Sequence, residues 1–189
     1  MLKKIIDETK DAVVSAVQGV DDILSAVTGT VKNQVVSVLK GVGEVGGSAV
    51  EAVASITSGA IKGMGEVGGS ATDTIANTMS GVVKGASEVG ESVIDAVRGG
   101  VQGVVQATAE TGGDVGQAAV SAVRGAIKAA GEAGTDTAEA TRSAVGGALD
   151  AATSVGGDAV EKVRDALLST AELPRDVIES VFKGSDKEQ

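Results

Sequence analysis

The sequence predicts an all-α, non-globular repeat protein, and three observations carry that prediction. The first glycine of a Val-Gly-Gly signature recurs every 22 residues, at Gly46, Gly68, Gly90, Gly112, Gly134 and Gly156. Apolar positions step by 3, 4 and 4 from Val42 through Val45, Ala49, Val53, Ile56, Ala60, Met64, Val67, Ala71, Ile75, Thr78, Val82, Ala86, Val89, Val93 and Val97. The same stepping passes Val104 and Val115 and reaches Val155, Ala159, Val163 and Ala166, with no charge on the stripe. Thirdly, the apolar content is Val, Ala, Ile and a few Leu and Met, with Phe182 the single aromatic residue. Such side chains each remove little area from water, which suits a repeat better than one large core.

The elements follow in order. Residues 1–42 read as an N-terminal amphipathic segment that starts in heptads (Ile6, Val13, Val20, Val27) and passes into Leu24, Val31, Val35 and Val38. Residues 43–173 hold six 22-residue units, each two 11-residue halves. Three turns per 11 residues is a helical period, not the period of 2 that a strand needs. Acidic residues recur at Glu44, Glu66, Glu88, Glu110 and Glu132, and at Glu51, Asp73, Asp95, Glu139 and Glu161. Lysine recurs at Lys40, Lys62, Lys84 and Lys128. These project opposite the stripe, as in an amphipathic helix. Lys62 and Lys84 precede Glu66 and Glu88 by four and are read as weak i,i+4 pairs.

Because the phase survives every Gly-Gly pair, the units are expected to form one long helix, or collinear helices, rather than a bundle with true turns. Pro174 ends the period. Residues 174–189 read as a short helix with Val177, Ile178, Val181 and Phe182 on one side, Gly184 as its C-cap, and a polar tail. A 22-residue β-solenoid is the rival fold, opposed by Val50, Val53 and Ile56 lying three apart.

The glycines stand out against this pattern. Each one inside a helix costs about 1 kcal/mol relative to Ala, so the more than twenty in the periodic region carry a penalty on the order of 20 kcal/mol. The chain is therefore expected to fold when its stripe finds something to cover. Two readings of Gly46, Gly68, Gly90, Gly112, Gly134 and Gly156 stand: joints that let a helix follow a curved surface, or points where helix backbones approach closely. A second glycine recurs at Gly59, Gly81, Gly103, Gly125 and Gly147.

Chemistry is scarce. The chain has no His, Cys, Tyr or Trp. The usual general base, thiolate nucleophile and imidazole or thiolate metal ligands are thus missing. "GEVGGS" and "GGVQGV" match neither a P-loop nor a dinucleotide fingerprint, and Asp21–Asp22 lacks the spacing of a calcium loop. No catalytic, cofactor or metal site is expected, and no enzymatic activity. A net charge of −10 argues against nucleic acid as a partner. The start carries no signal peptide, and the longest charge-free stretch, Gly99 to Ala109, is too short to span a bilayer. A cytoplasmic protein, peripheral to a membrane or granule, is the expectation.

The segments "EVGGSAVEAVASITSGAIKG" and "SEVGESVIDAVRGGVQGVVQ" resemble the 11- and 22-residue amphipathic repeats of synucleins, perilipins and exchangeable apolipoproteins. That resemblance, over about Val20 to Ala166, implies a helix lying on a lipid or lipid-droplet surface. The expected function is accordingly a non-enzymatic coat on lipid or another apolar surface. Its binding face would be Val45, Val53, Ile56, Met64, Val67, Ile75, Val82, Val89, Val93, Val97, Val104, Val115, Val155 and Val163. The alternative is a self-assembling scaffold, filament or tube with copies of the chain as partners and an apolar interior able to hold lipid. A stress-protectant disordered chain comes third.

Overall fold

The computed structural model describes residues 2–17, 23–45, 48–67 and 71–185. Among them are nine helices and no strand: α1 (Leu2–Val17), α2 (Ile23–Val45), α3 (Ala49–Val67), α4 (Ala71–Val89), α5 (Val93–Glu110), α6 (Val115–Glu132), α7 (Thr137–Val155), α8 (Ala159–Ser169) and α9 (Arg175–Ser185). The helical period of the stripe is thus realised, and the β-solenoid is overturned.

The helices do not run end to end. Each packs most closely on the helix two places along, so α1, α3, α5 and α7 form one layer and α2, α4, α6 and α8 the other. Sequence neighbours touch across the layers, and α9 closes on α7 and α8. One 22-residue unit is therefore one helix and its turn, and the structural repeat is a pair of units.

The turns are written in the glycines. Gly90, Gly112 and Gly134 adopt φ +74°, a left-handed conformation open to glycine at little cost. At α5 the Gly112 N–H donates to the Ala109 carbonyl (3.1 Å) and the Gly113 N–H to the Thr108 carbonyl (2.8 Å), the paired bonds of a Schellman stop. Two residues after each such glycine comes an N-cap. The Asp114 carboxylate accepts from the Gln117 N–H (3.0 Å), and Asp136 accepts from the N–H groups of Ala138 (2.8 Å) and Glu139 (3.0 Å). A stop and a start within three or four residues reverse the chain. The conserved phase that argued for a continuous helix has a simpler cause: 22 residues make whole turns at 3.67 per turn, so any unit of that length repeats its own phase.

The N-terminal segment is two helices, α1 and α2, with Val13, Val27, Val31 and Val35 fully buried between the layers. At the other end Pro174 immediately precedes α9, and Ile178 and Phe182 point inward while Val177 and Val181 are half-buried. Gly184 lies inside α9 rather than capping it, because the helix runs on to Ser185.

Candidate functional site

The apolar face is the core of the protein. Val53, Ile56, Val82, Val97, Val104 and Val163 are wholly buried, and Met64, Ile75 and Val115 nearly so. Val89 and Val93, flanking the α4–α5 turn, are half-buried, whereas Val155, the last residue of α7, is 42% exposed. The side chains of Val45 and Val67 lie outside the described residues. The face expected to meet a surface or another chain meets the next helices of its own chain instead. Small side chains can do this because each helix is apolar on the sides turned to both neighbours.

Of the two glycine series, the one read as joints or contacts is neither. A Cβ added at Gly90, Gly112, Gly134 or Gly156 meets nothing within 4 Å, and all four have positive φ. They are turn residues; Gly46 and Gly68 lie outside the described residues. Close approach belongs to the second series. A Cβ on Gly59 or Gly147 would stand 2.5 Å from the carbonyl oxygen of Ile6 or Arg98, and one on Gly81 2.7 Å from that of Thr28. Gly99 and Gly103 abut the carbonyls of Val50 and Ala54 in the same way. Each contact joins a helix to the one two places earlier. One unit before Gly59 the same repeat position is Ser37, which is exposed, since α2 has no helix two places before it.

The charged residues also act between helices. Lys62 pairs with Glu110 of α5, and the Lys32 ammonium of α2 lies 2.7 Å from Glu88 of α4. Lys32, outside the recurring lysine positions, takes the Glu88 that was expected to pair with Lys84, while the side chain of Glu66, the expected partner of Lys62, lies outside the described residues. The Lys32 ammonium, with Lys40 adding to it, holds the Glu88 carboxyl below its usual range. Arg98 Nη2 reaches Asp150 at 2.6 Å, and Arg124 reaches Glu172 at 2.7 Å. Asp158, just before α8, pairs with Lys162 of its first turn at 2.9 Å, which lowers the one pKa and raises the other. Glu51, Asp73, Asp95, Glu139 and Glu161 are exposed at helix starts, the wet positions expected of them. Among the described residues no group of three acidic side chains is placed to hold a metal, and Asp21–Asp22 lies outside them.

The signal for the turns was in the sequence. Ser48, Ser92, Asp114, Asp136 and Asp158 each follow a glycine by two and precede an acidic residue or Gln by three. That is a helix stop followed by a capping box. Two of the struts had a signal too, since Lys62 and Glu110 lie 48 residues apart, as do Arg124 and Glu172.

No family model matches the chain, and no curated protein matches it. Among solved structures the chain is similar to a crystal structure of a de novo designed helical repeat protein. The two are 19% identical with a TM-score of 0.54, over 98% of this chain and 97% of that one. The likeness is one of fold. No helix among the described residues is long and apolar enough to cross a membrane.

Proposed function

We propose that the chain is a non-enzymatic structural protein, an elongated helical-repeat scaffold that spends its apolar stripe on itself. The observation that supports this most is the closure of Val53, Ile56, Val82, Val97, Val104 and Val163 at zero exposure against helices of the same chain. A stripe already covered has no need of lipid or of a second copy to become helical. Asp11, Asn33 and Ser37 on α1 and α2 hold the repeat positions that elsewhere face a preceding helix, and all three are exposed. A polar first face caps a repeat stack and opposes end-to-end growth.

The lipid coat remains the second reading, on one observation: the stripe is continuous and its helices are joined by turns of three or four residues, so opening the layers would re-expose it as a single face. Circular dichroism and sedimentation of the dilute protein, with and without phosphatidylcholine vesicles, separate the readings. The scaffold predicts full helicity, a cooperative transition in urea and a monomer mass without lipid. Helix appearing only with vesicles would establish the coat, and helix growing with protein concentration the self-assembler.

A further inference from the structure

A cavity of about 270 Å³ opens where the C-terminal ends of α3 and α5 meet the N-terminal ends of α4 and α6. Ile61, Met64, Ile75 and Ala118 give it an apolar floor. Thr74 completes that floor: its residue is only 3% exposed, and its Oγ1 has no hydrogen-bond partner.

The repeat supplies an internal reference for what packing alone asks at these positions. Where α4 has Thr74, four other units have Ala52, Ala96, Ala118 and Ala140. Thr111 stands where Val45, Val67, Val89 and Val155 stand, and Thr108 where Ala86, Ala130 and Ala152 stand. Gln117 replaces an acid found at Glu51, Asp73, Asp95, Glu139 and Glu161. All four departures line this one cavity, and each replaces an apolar or a charged side chain by a neutral polar one. Alanine closes the Thr74 position elsewhere without stranding a hydroxyl, so the fold does not explain the threonine.

The hydrogen-bonding state of the walls narrows what fits. Thr111 Oγ1 donates to the Ala107 carbonyl (3.0 Å) and Ser121 Oγ to the Gln117 carbonyl (3.0 Å), so their protons are used. Among the described hydroxyls that line the cavity, Thr74 is the one both buried and without a partner. Among the described residues no cation lines the cavity, and the Asp114 carboxylate sits on its rim, which disfavours an anion. The volume exceeds the roughly 150 Å³ that holds benzene in an engineered core and falls just under the ~300 Å³ where drug-sized sites begin. We propose that the cavity binds a small uncharged molecule with an apolar body and one hydroxyl or carbonyl oxygen, which Thr74 Oγ1 engages at the floor.

The test is a titration of the full chain, carrying labelled methyl groups, with 2-heptanone and cyclohexanol, and with heptanoate and heptane as charged and oxygen-free counterparts. The expected result is saturable shifts at the Ile61, Met64, Ile75 and Ala118 methyls with the first two probes, and affinity at least tenfold weaker for the others. Thr74→Val should weaken the neutral probes at least fivefold while leaving the thermal midpoint equal or higher. Ala118→Leu, which fills the floor, should abolish the shifts; if it fails to fold, the Thr74→Val comparison decides alone. No saturable shift with either neutral probe would overturn the proposal. Equal affinity in Thr74→Val, or equally tight binding of heptanoate or heptane, would do the same.

Discussion

Gly147 of α7 lies so close to Arg98 of α5 that a single added carbon would stand 2.5 Å from the arginine's carbonyl oxygen. The same arginine reaches forward with its guanidinium to Asp150, so one residue meets α7 through both its backbone and its side chain. The glycine costs helix propensity, and the contact it permits is what the layer is built on.

Gly147→Ala should therefore destabilise although alanine is the better helix former. The gain of about 1 kcal/mol in propensity is outweighed by overpacking against backbone, which typically costs about 1–3 kcal/mol. Gly41→Ala in α2 is the control, because nothing lies within 4 Å of its Cβ position. It should stabilise by up to about 1 kcal/mol. Urea midpoints moving in the same direction for both variants would show that the close contact carries no weight.

At the turns the outcome runs opposite to what a helix joint predicts. Gly112→Ala meets open space but places a Cβ at φ +74°, which costs about 1–2 kcal/mol. Thermal stability should fall without any gain in helicity, and Gly112→Asn should fall less. A rise in helicity on alanine substitution would restore the continuous helix.

Buried hydroxyls give a prediction of the other sign. Thr57 and Thr78 are fully buried, and neither Oγ1 has a partner, whereas Thr141 donates to the Thr137 carbonyl at 2.6 Å. Replacing Thr57 or Thr78 by the isosteric valine removes a stranded polar group and should stabilise by about 1 kcal/mol or more. Thr141→Val, which removes a satisfied one, should not. Denaturant titration of the three variants settles the point.

The caps make stability pH-dependent on the acid side. The backbone N–H groups of Glu139 and Ala138 hold the Asp136 carboxyl below its usual value. A depressed folded-state pKa means the contribution is fully present above the unfolded value near 4 and is lost as pH falls through the folded one. Asp136→Asn keeps the acceptor without the titration, so its thermal midpoint should fall less steeply below pH 4 than the wild type's. Parallel pH profiles would show that the carboxylate does not act through its ionisation.

The struts should matter little by comparison. Arg98 and Asp150 are nearly half exposed, and such pairs contribute under about 1 kcal/mol. Asp150→Asn should shift the urea midpoint slightly, and the shift should vanish in 1 M salt. A large, salt-insensitive loss would mean that the pair orders the layer.

Local chemistry made the helices and their wet and dry sides readable in advance, but not their length, since the unbroken phase was taken to carry one helix through the Gly-Gly pairs. The 3-4-4 stripe from Val53 to Val97 is a property of one helix at a time, and it survives unchanged in the fold. The turns at Gly90, Gly112 and Gly134 were readable as well, since a left-handed glycine followed by Ser92, Asp114 or Asp136 is a local signal. What no single unit contains is the partner of its stripe. Val97 would be equally well buried against lipid, a second chain or α7, because burial of apolar area has no direction. The choice falls to the chain because α3, α5 and α7 are tethered at short range, where association with a neighbour loses far less entropy than capture of a separate partner. The cavity beside Thr74 was beyond local reading for the same reason. Its walls come from four helices, and only their packing shows that Thr74, Thr108, Thr111 and Gln117, scattered along the chain, face one space.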